Sequence, residues 1–125
     1  MSVIYNKVAL IGLGLIASSM FWGMKRAGLA GEVTGYARSE ATRETARRIG
    51  LCDRVCESAV EAVEDADLVV LCVPPGAMGA VAEQIGPALK LGATVSDVGS
   101  VKREIISAVA PHLPDNVHFV PAHPL

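Results

Sequence analysis

Between Lys7 and Ala17 the chain reads Lys-Val-Ala-Leu-Ile-Gly-Leu-Gly-Leu-Ile-Ala. An apolar run, Val8 to Ile11, enters a turn with Gly12, Gly14 and Ala17 at fixed offsets, and an apolar helical pattern follows. This is the Gly-x-Gly-x-x-Gly/Ala arrangement in which a strand delivers a dinucleotide's pyrophosphate to the start of a helix. Each small residue has a separate role. Gly12 allows the tight turn out of the strand. Gly14 has no Cβ, so a pyrophosphate can lie against the backbone. Ala17 keeps the helix close to the sheet. The turn backbone from Leu13 through Leu15 and Ile16 belongs to the same binding element, because the helix start points free N–H groups and its positive end at the phosphates. The competing reading is a glycine-rich turn that only packs a helix on a sheet.

The remainder of the chain alternates strand and helix patterns, with no internal repeat, low-complexity stretch or linker. Strand one is expected at Lys7–Gly12 and helix one at Leu15–Ala27, stopped by Gly28. Strand two is Val33–Tyr36. Helix two starts at Ser39, a good N-cap, and runs to Ile49 before Gly50. A short third strand covers Arg54–Cys56 and a short helix Ser58–Val63. Strand four, Leu68–Val73, is a continuous apolar run of the kind buried on both faces, ended by Pro74-Pro75-Gly76. Helix four is Ala77–Ile85, strand five Thr94–Asp97, helix five Val101–Ala110 and strand six His118–Val120. At 125 residues this makes one domain spanning residues 1–125. The order implies an α/β fold: a Rossmann-type, doubly wound parallel sheet.

Ligands of such sheets bind beyond the carboxyl ends of the strands. That rule selects Gly12–Ala17, Ala37-Arg38-Ser39, Val73-Pro74-Pro75-Gly76, Gly99-Ser100 and Ala122-His123 as the lining of one crevice. The residue after strand two usually declares the cofactor. A carboxylate there binds the ribose 2′-OH and favours NAD. Here that position is Ala37, and Arg38 and Ser39 follow, so a 2′-phosphate can be held by the forked donors of Arg38. NADP is therefore favoured over NAD. Two alternatives stand beside this: Arg38 covers the adenine face, which suits either cofactor, or Glu40, in the first turn of helix two, substitutes for the missing acid.

Composition narrows the rest. Net charge is −2, and no basic cluster or stacking platform appears, which argues against nucleic acid and anionic membranes as partners. The cysteines, Cys52, Cys56 and Cys72, form an odd set without zinc-ligand spacing, so no metal site is expected. Cys72 sits in an apolar run and reads as core filling. This usage suits a reducing cytoplasm. The uncharged stretch Val8 to Met24 can imitate a signal peptide. However, Lys25-Arg26 follow where a cleavage region would be small and neutral, and the run is short for a membrane span.

Gly99 permits a turn off strand five. Ser100 sits where a helix begins, either as a simple N-cap or with its hydroxyl turned to a substrate. His123 follows strand six, where a neutral imidazole can take a proton from a substrate hydroxyl; the alternative is a histidine in a proline-rich turn. His112 and His118 read as structural or solvated.

Three segments occur together in one family: the Gly-Leu-Gly-Leu-Ile-Ala-Ser-Ser turn, Asp97-Val-Gly-Ser-Val-Lys102 and Val120-Pro-Ala-His-Pro-Leu125. Over essentially its whole length the chain resembles the nucleotide-binding domain of the prephenate/arogenate dehydrogenases of tyrosine biosynthesis. The glycine turn is shared with many dehydrogenases, whereas the other two segments are much more specific. The resemblance implies oxidative decarboxylation of prephenate or arogenate, with hydride passing to NAD(P). It implies that His123 engages the ring hydroxyl and that Ser100 hydrogen-bonds the substrate and His123. It assigns Gly12, Gly14 and Ala17 to the phosphate turn and the Arg38 region to 2′ selection. Family members carry a second, mostly helical domain that supplies substrate-carboxylate contacts and a homodimer interface. That domain has no counterpart within these residues, so the sequence is expected to represent the cofactor-binding part. A β-hydroxyacid or 6-phosphogluconate-type dehydrogenase domain, and a non-enzymatic dinucleotide sensor, remain the alternatives.

Overall fold

A computed structural model of the chain describes the backbone of residues 5–98 and 102–121. Its elements are β1 (Tyr5–Ile11), α1 (Leu15–Ala27), β2 (Ala30–Tyr36), α2 (Glu40–Ile49), β3 (Arg54–Val55), α3 (Ala59–Val63), β4 (Leu68–Leu71), α4 (Pro75–Ile85), β5 (Thr94–Asp97), α5 (Lys102–Val109) and β6 (His118–Pro121). Single 3-10 turns follow α4 and α5, at Gly86–Ala88 and Ala110–His112. The strands form one sheet in the order β3-β2-β1-β4-β5-β6, and every pairing is parallel. The expected doubly wound α/β fold is therefore the observed one, with the order reversing between β1 and β4.

Period-two alternation divides the core. Val8 and Leu10 of β1, with Val33 and Val70, pack against Ala17, Phe21 and Met24 of α1 and Ala46 of α2. Ala9 and Ile11, with Val69, Leu71 and Val95, face Ala62 and Val63 of α3, Met78, Ala82 and Ile85 of α4, and Ile105 and Val109 of α5. Because both faces of the central strands meet helices, β4 and the Val8–Ile11 part of β1 are apolar throughout. On the α1 side, Tyr5, Met20, Leu68, Val70, Val98 and Val120 line an open groove over β4 to β6, and Val120 is half exposed.

Local chemistry explains the helix ends. Gly28 and Gly50 close α1 and α2 in the left-handed conformation (φ 69° and 75°), returning their N–H groups to the last turns. Ser39 caps α2 by accepting from the Thr42 N–H at 3.4 Å, and Ser58 caps α3 through the Glu61 N–H at 3.1 Å.

Some boundaries differ from the sequence expectation. β2 begins three residues earlier, at Ala30, because Tyr5 of β1 supplies it with a partner. β3 stops at Val55 rather than Cys56, and β6 runs on to Pro121. β4 ends at Leu71 rather than Val73: its neighbour β1 ends at Ile11, and Gly12 turns away, which leaves no ladder for Val73. Pro74-Pro75 does not simply end a strand. Pro75 opens α4, two residues before the expected Ala77, where a missing N–H costs nothing. The α5 helix ends at Val109, and Ala110 begins the 3-10 turn containing Pro111 and the exposed His112.

At the amino end of the sheet Asp67 gathers several donors. Its Oδ2 accepts the Asn6 and Lys7 N–H groups at 2.9 and 3.1 Å, and its Oδ1 pairs with the Lys90 ammonium. The Lys90 hydrogen bond foremost holds the Asp67 carboxyl below its ordinary value; burial opposes it, and the Lys7 N–H, the Lys90 charge and the Asn6 N–H add to the lowering. A carboxyl depressed in the folded chain stabilises it above the unfolded carboxylate range, near pH 4, and loses that contribution as pH falls through the folded value. Asp67→Asn should therefore flatten the decline of stability below about pH 4. Denaturant unfolding of both proteins at a series of acidic pH values checks this; parallel declines would show that the Asp67 cluster contributes nothing to the pH dependence.

Candidate functional site

The register aligns the carboxyl ends of the strands in one row. Ile11 pairs with Tyr36 and with Leu71, Leu71 with Asp97, and Asp97 with Pro121. The chain leaves this row at Gly12, Ala37, Cys72 and Val98, so the segments after β1, β2 and β4 border one crevice. Gly99, Ser100 and His123 lie outside the described residues.

The glycine turn has the geometry its sequence requires. Gly12 has φ 101°, and its N–H donates to the Tyr36 carbonyl at 2.7 Å. A Cβ there would stand 2.7 Å from the Cys72 oxygen and 2.9 Å from Val73 Cγ1. Gly12 is thus demanded by both conformation and space. Gly14 differs: its φ of −107° suits any residue, and a Cβ on it would meet nothing within 4 Å. The open space beside it is what a pyrophosphate cradle needs.

Gly14 is also the N-cap of α1, which has no side-chain cap and no acidic residue in its first turn. A helix start left without a capping side chain or a carboxylate suits an anion better than one already neutralised. Leu15 and Ile16 are exposed by 84% and 49%, whereas Ala17 is fully buried against the sheet. Leu13 is half-buried and packs beside Gly35, where a Cβ would lie 2.9 Å from Leu13 Cδ2 and 2.6 Å from Cys52 Sγ.

Beside the turn is a pocket of about 240 Å³ lined by Gly12, Tyr36, Arg38, Val73, Pro74 and Ala77 among others. The fold thus brings Gly12, Arg38, Val73 and Pro74 of the sequence candidates to one place. Ala37 is buried, so the position after β2 carries no carboxylate. Arg38 is exposed, and its guanidinium has no hydrogen bond or ion pair to a described residue. The Ser39 hydroxyl caps α2, and Glu40 opens that helix. Sequence reasoning missed Tyr36 and Ala77 as pocket walls. A tyrosine as the last residue of strand two, at the row of carboxyl ends, was the available signal.

The cysteines are thiols of the interior. Burial pushes Cys72 up to about 12, and burial followed by the Asp53 charge does the same to Cys52; burial also raises Cys56. Such groups stay protonated at neutral pH and offer no thiolate. Cys72 is half-buried beside the α1-side core, in keeping with a filling role. Among the described residues, no helix is long and apolar enough to cross a membrane.

Comparison with known proteins agrees with this architecture. The family model "Prephenate dehydrogenase, nucleotide-binding domain" matches residues 22–125. A cyclohexadienyl dehydrogenase of Zymomonas mobilis is 43% identical over 98% of this chain and 41% of its own length. A prephenate dehydrogenase of Lactococcus lactis is 34% identical over 96% of this chain and 34% of its own. Among solved structures, prephenate dehydrogenase from A. aeolicus in complex with hydroxyphenyl propionate and NAD+ superposes with a TM-score of 0.86. It is 26% identical, covering 100% of this chain and 43% of that one. The chain therefore spans less than half the length of the relatives it matches.

Proposed function

The chain belongs to the prephenate dehydrogenase family through that family's nucleotide-binding domain, and from this premise we propose that it is the cofactor-binding part of an NADP-preferring prephenate or arogenate dehydrogenase. The observation that carries the reading is the α1 start at Gly14, without a side-chain cap, beside an Arg38 on the neighbouring pocket whose guanidinium pairs with no described residue. The first fits a pyrophosphate and the second a 2′-phosphate. In the A. aeolicus relative, this domain belongs to a protein crystallised with NAD+.

Bound there, the dinucleotide supplies the hydride acceptor for an oxidative decarboxylation. The protein's own share is orientation and the handling of one proton. His123 is proposed to accept the proton of the substrate's ring hydroxyl through a neutral imidazole nitrogen. Ser100 is proposed to donate its hydroxyl to substrate and to hold that imidazole. Support comes from the register: β5 and β6 are adjacent and end level, at Asp97 and Pro121, and Ser100 and His123 follow those residues by three and two positions. Loss of carbon dioxide makes the ring aromatic, so the chemistry needs little further assistance. Action in the cytoplasm, and a dimer formed through the remainder of the protein, complete the reading.

Nicotinamide reduction by the full-length protein tests the proposal. Prephenate and arogenate are each supplied with NADP and with NAD, and turnover is followed by absorbance. Turnover with either substrate, faster with NADP at limiting cofactor, is expected. Dinucleotide binding without turnover on either substrate would move the chain to another dehydrogenase class or to a sensor, and faster turnover with NAD would remove Arg38 as a 2′-phosphate ligand.

A further inference from the structure

Arg43, on the first turns of α2, is turned inward. Only 12% of its side chain is exposed. Its Nη1 donates to the carbonyls of Ala37 and Arg38, at 2.7 and 3.1 Å. Its guanidinium lies 5.6 Å from the centroid of the Tyr36 ring, and its Nε faces Glu57 Oε2 at 3.4 Å. Glu57 also pairs with Arg47 one helical turn further on. A cation withdrawn this far from water is costly unless its donors are used. Here Nη1 is directed at the two carbonyls of the loop that follows β2, and the buried Nε has the Glu57 carboxylate as its ion-pair partner without a hydrogen bond among the described residues.

We infer that Arg43 is the positioning residue that sets discrimination at the ribose 2′ end of the dinucleotide, by fixing the 37–39 loop so that Arg38 stays on the pocket. The inference rests on the proposed dinucleotide reading and goes beyond it, because Arg43 does not itself line the pocket and reaches it only through the loop carbonyls and the Tyr36 ring. The division of labour is physical. The other walls lie outside the 37–39 loop: Val73 and Pro74 belong to the segment between β4 and α4, and Tyr36, although its ring meets Arg43, is held at the end of β2 by its pairing with Ile11. Arg38 belongs to the loop, and the Ala37 and Arg38 carbonyls are tied to α2 by the Arg43 guanidinium, whereas the Ser39 carbonyl accepts the Arg43 backbone N–H at 3.1 Å. A planar fork bonds two carbonyls, stacks on a ring and meets a carboxylate at once; an ammonium cannot do all four. Losing Arg43 should therefore affect the 2′-phosphate far more than the base.

Fragments of the cofactor isolate this end of the site. Binding of 2′,5′-ADP and of ADP to the full-length protein is measured calorimetrically for the wild type, Arg43→Met and Arg43→Lys, with thermal melts as the folding control. The wild type should prefer 2′,5′-ADP. In Arg43→Met that preference should shrink about tenfold while ADP binding stays within about threefold, and Arg43→Lys should fall between. Equal weakening of both ligands would mean that Arg43 merely supports the pocket, and unchanged preference would mean that the loop stands without it; either overturns the inference alone. Wild-type protein that binds neither fragment would overturn the dinucleotide reading itself. Equal wild-type binding of both would remove Arg38 as selector, and this inference with it.

Discussion

Gly14→Val should weaken dinucleotide binding by about 100-fold or more while leaving thermal stability nearly untouched. The two halves of this expectation come from different measurements on one residue. The backbone at Gly14 has φ −107° and ψ −159°, an extended conformation that valine adopts readily, and a Cβ there would meet no protein atom within 4 Å. The folded chain therefore has no objection to the side chain. The ligand has a strong one. A pyrophosphate lying on the turn must approach the backbone closely enough to take N–H groups from the start of α1. A branched side chain would occupy that space and hold the anion away from the uncapped donors. The measurement is a thermal shift with and without saturating dinucleotide. A ligand at about 100 times its dissociation constant stabilises the wild type by roughly 2.7 kcal/mol. The variant should melt where the free wild type does and gain almost nothing from ligand. A variant that still binds within about threefold of the wild type would mean that the phosphates do not approach this turn.

Gly12→Ala should fail in the opposite way, by loss of stability on the order of 3 kcal/mol or more. Two independent terms add there. The φ of 101° is strained for any residue with a Cβ, and that Cβ would stand 2.7 Å from the Cys72 carbonyl oxygen, which is backbone and cannot swing aside. Cys72 in turn donates its N–H to the Ile11 carbonyl at 2.7 Å, so relief of the clash breaks the β1–β4 ladder at its end. For a domain of typical stability, about 5–15 kcal/mol, this is a large share, and the melting temperature should drop by about 10 °C or more. Gly50→Ala is the comparison, because Gly50 also has a positive φ (75°) but nothing within 4 Å of its Cβ. It should lose only about 1 kcal/mol, from conformation alone. Equal losses at Gly12 and Gly50 would mean that the contact with Cys72 carries no energy.

The two glycines stand two residues apart in one motif, and the turn at Gly12 was legible in the sequence, as was the small residue at Gly14 beside which the phosphate is proposed to lie. What the sequence could not supply was the identity of the atom that Gly12 must avoid. That atom belongs to Cys72, sixty residues further on, and it comes near only because β4 pairs with β1. The same holds for Arg43. In the sequence it is one of several arginines on an amphipathic helix, whose bland reading is a solvated face. Only the fold turns it inward onto the Ala37 and Arg38 carbonyls.

The sequence by itself determined the alternation of strands and helices, the doubly wound class, the glycine turn after β1, the cap at Ser39 and the glycine stops of α1 and α2. All of these follow from local rules: period, caps, and the backbone freedom of single residues. Tertiary structure alone decided where β4 ends and α4 begins, which strand ends stand level, and which side chains wall the pocket beside Gly12. Those depend on register between segments far apart in the chain. A hydrogen-bond ladder lasts only as long as its neighbour does, and a pocket is made by whichever residues happen to follow adjacent strand ends.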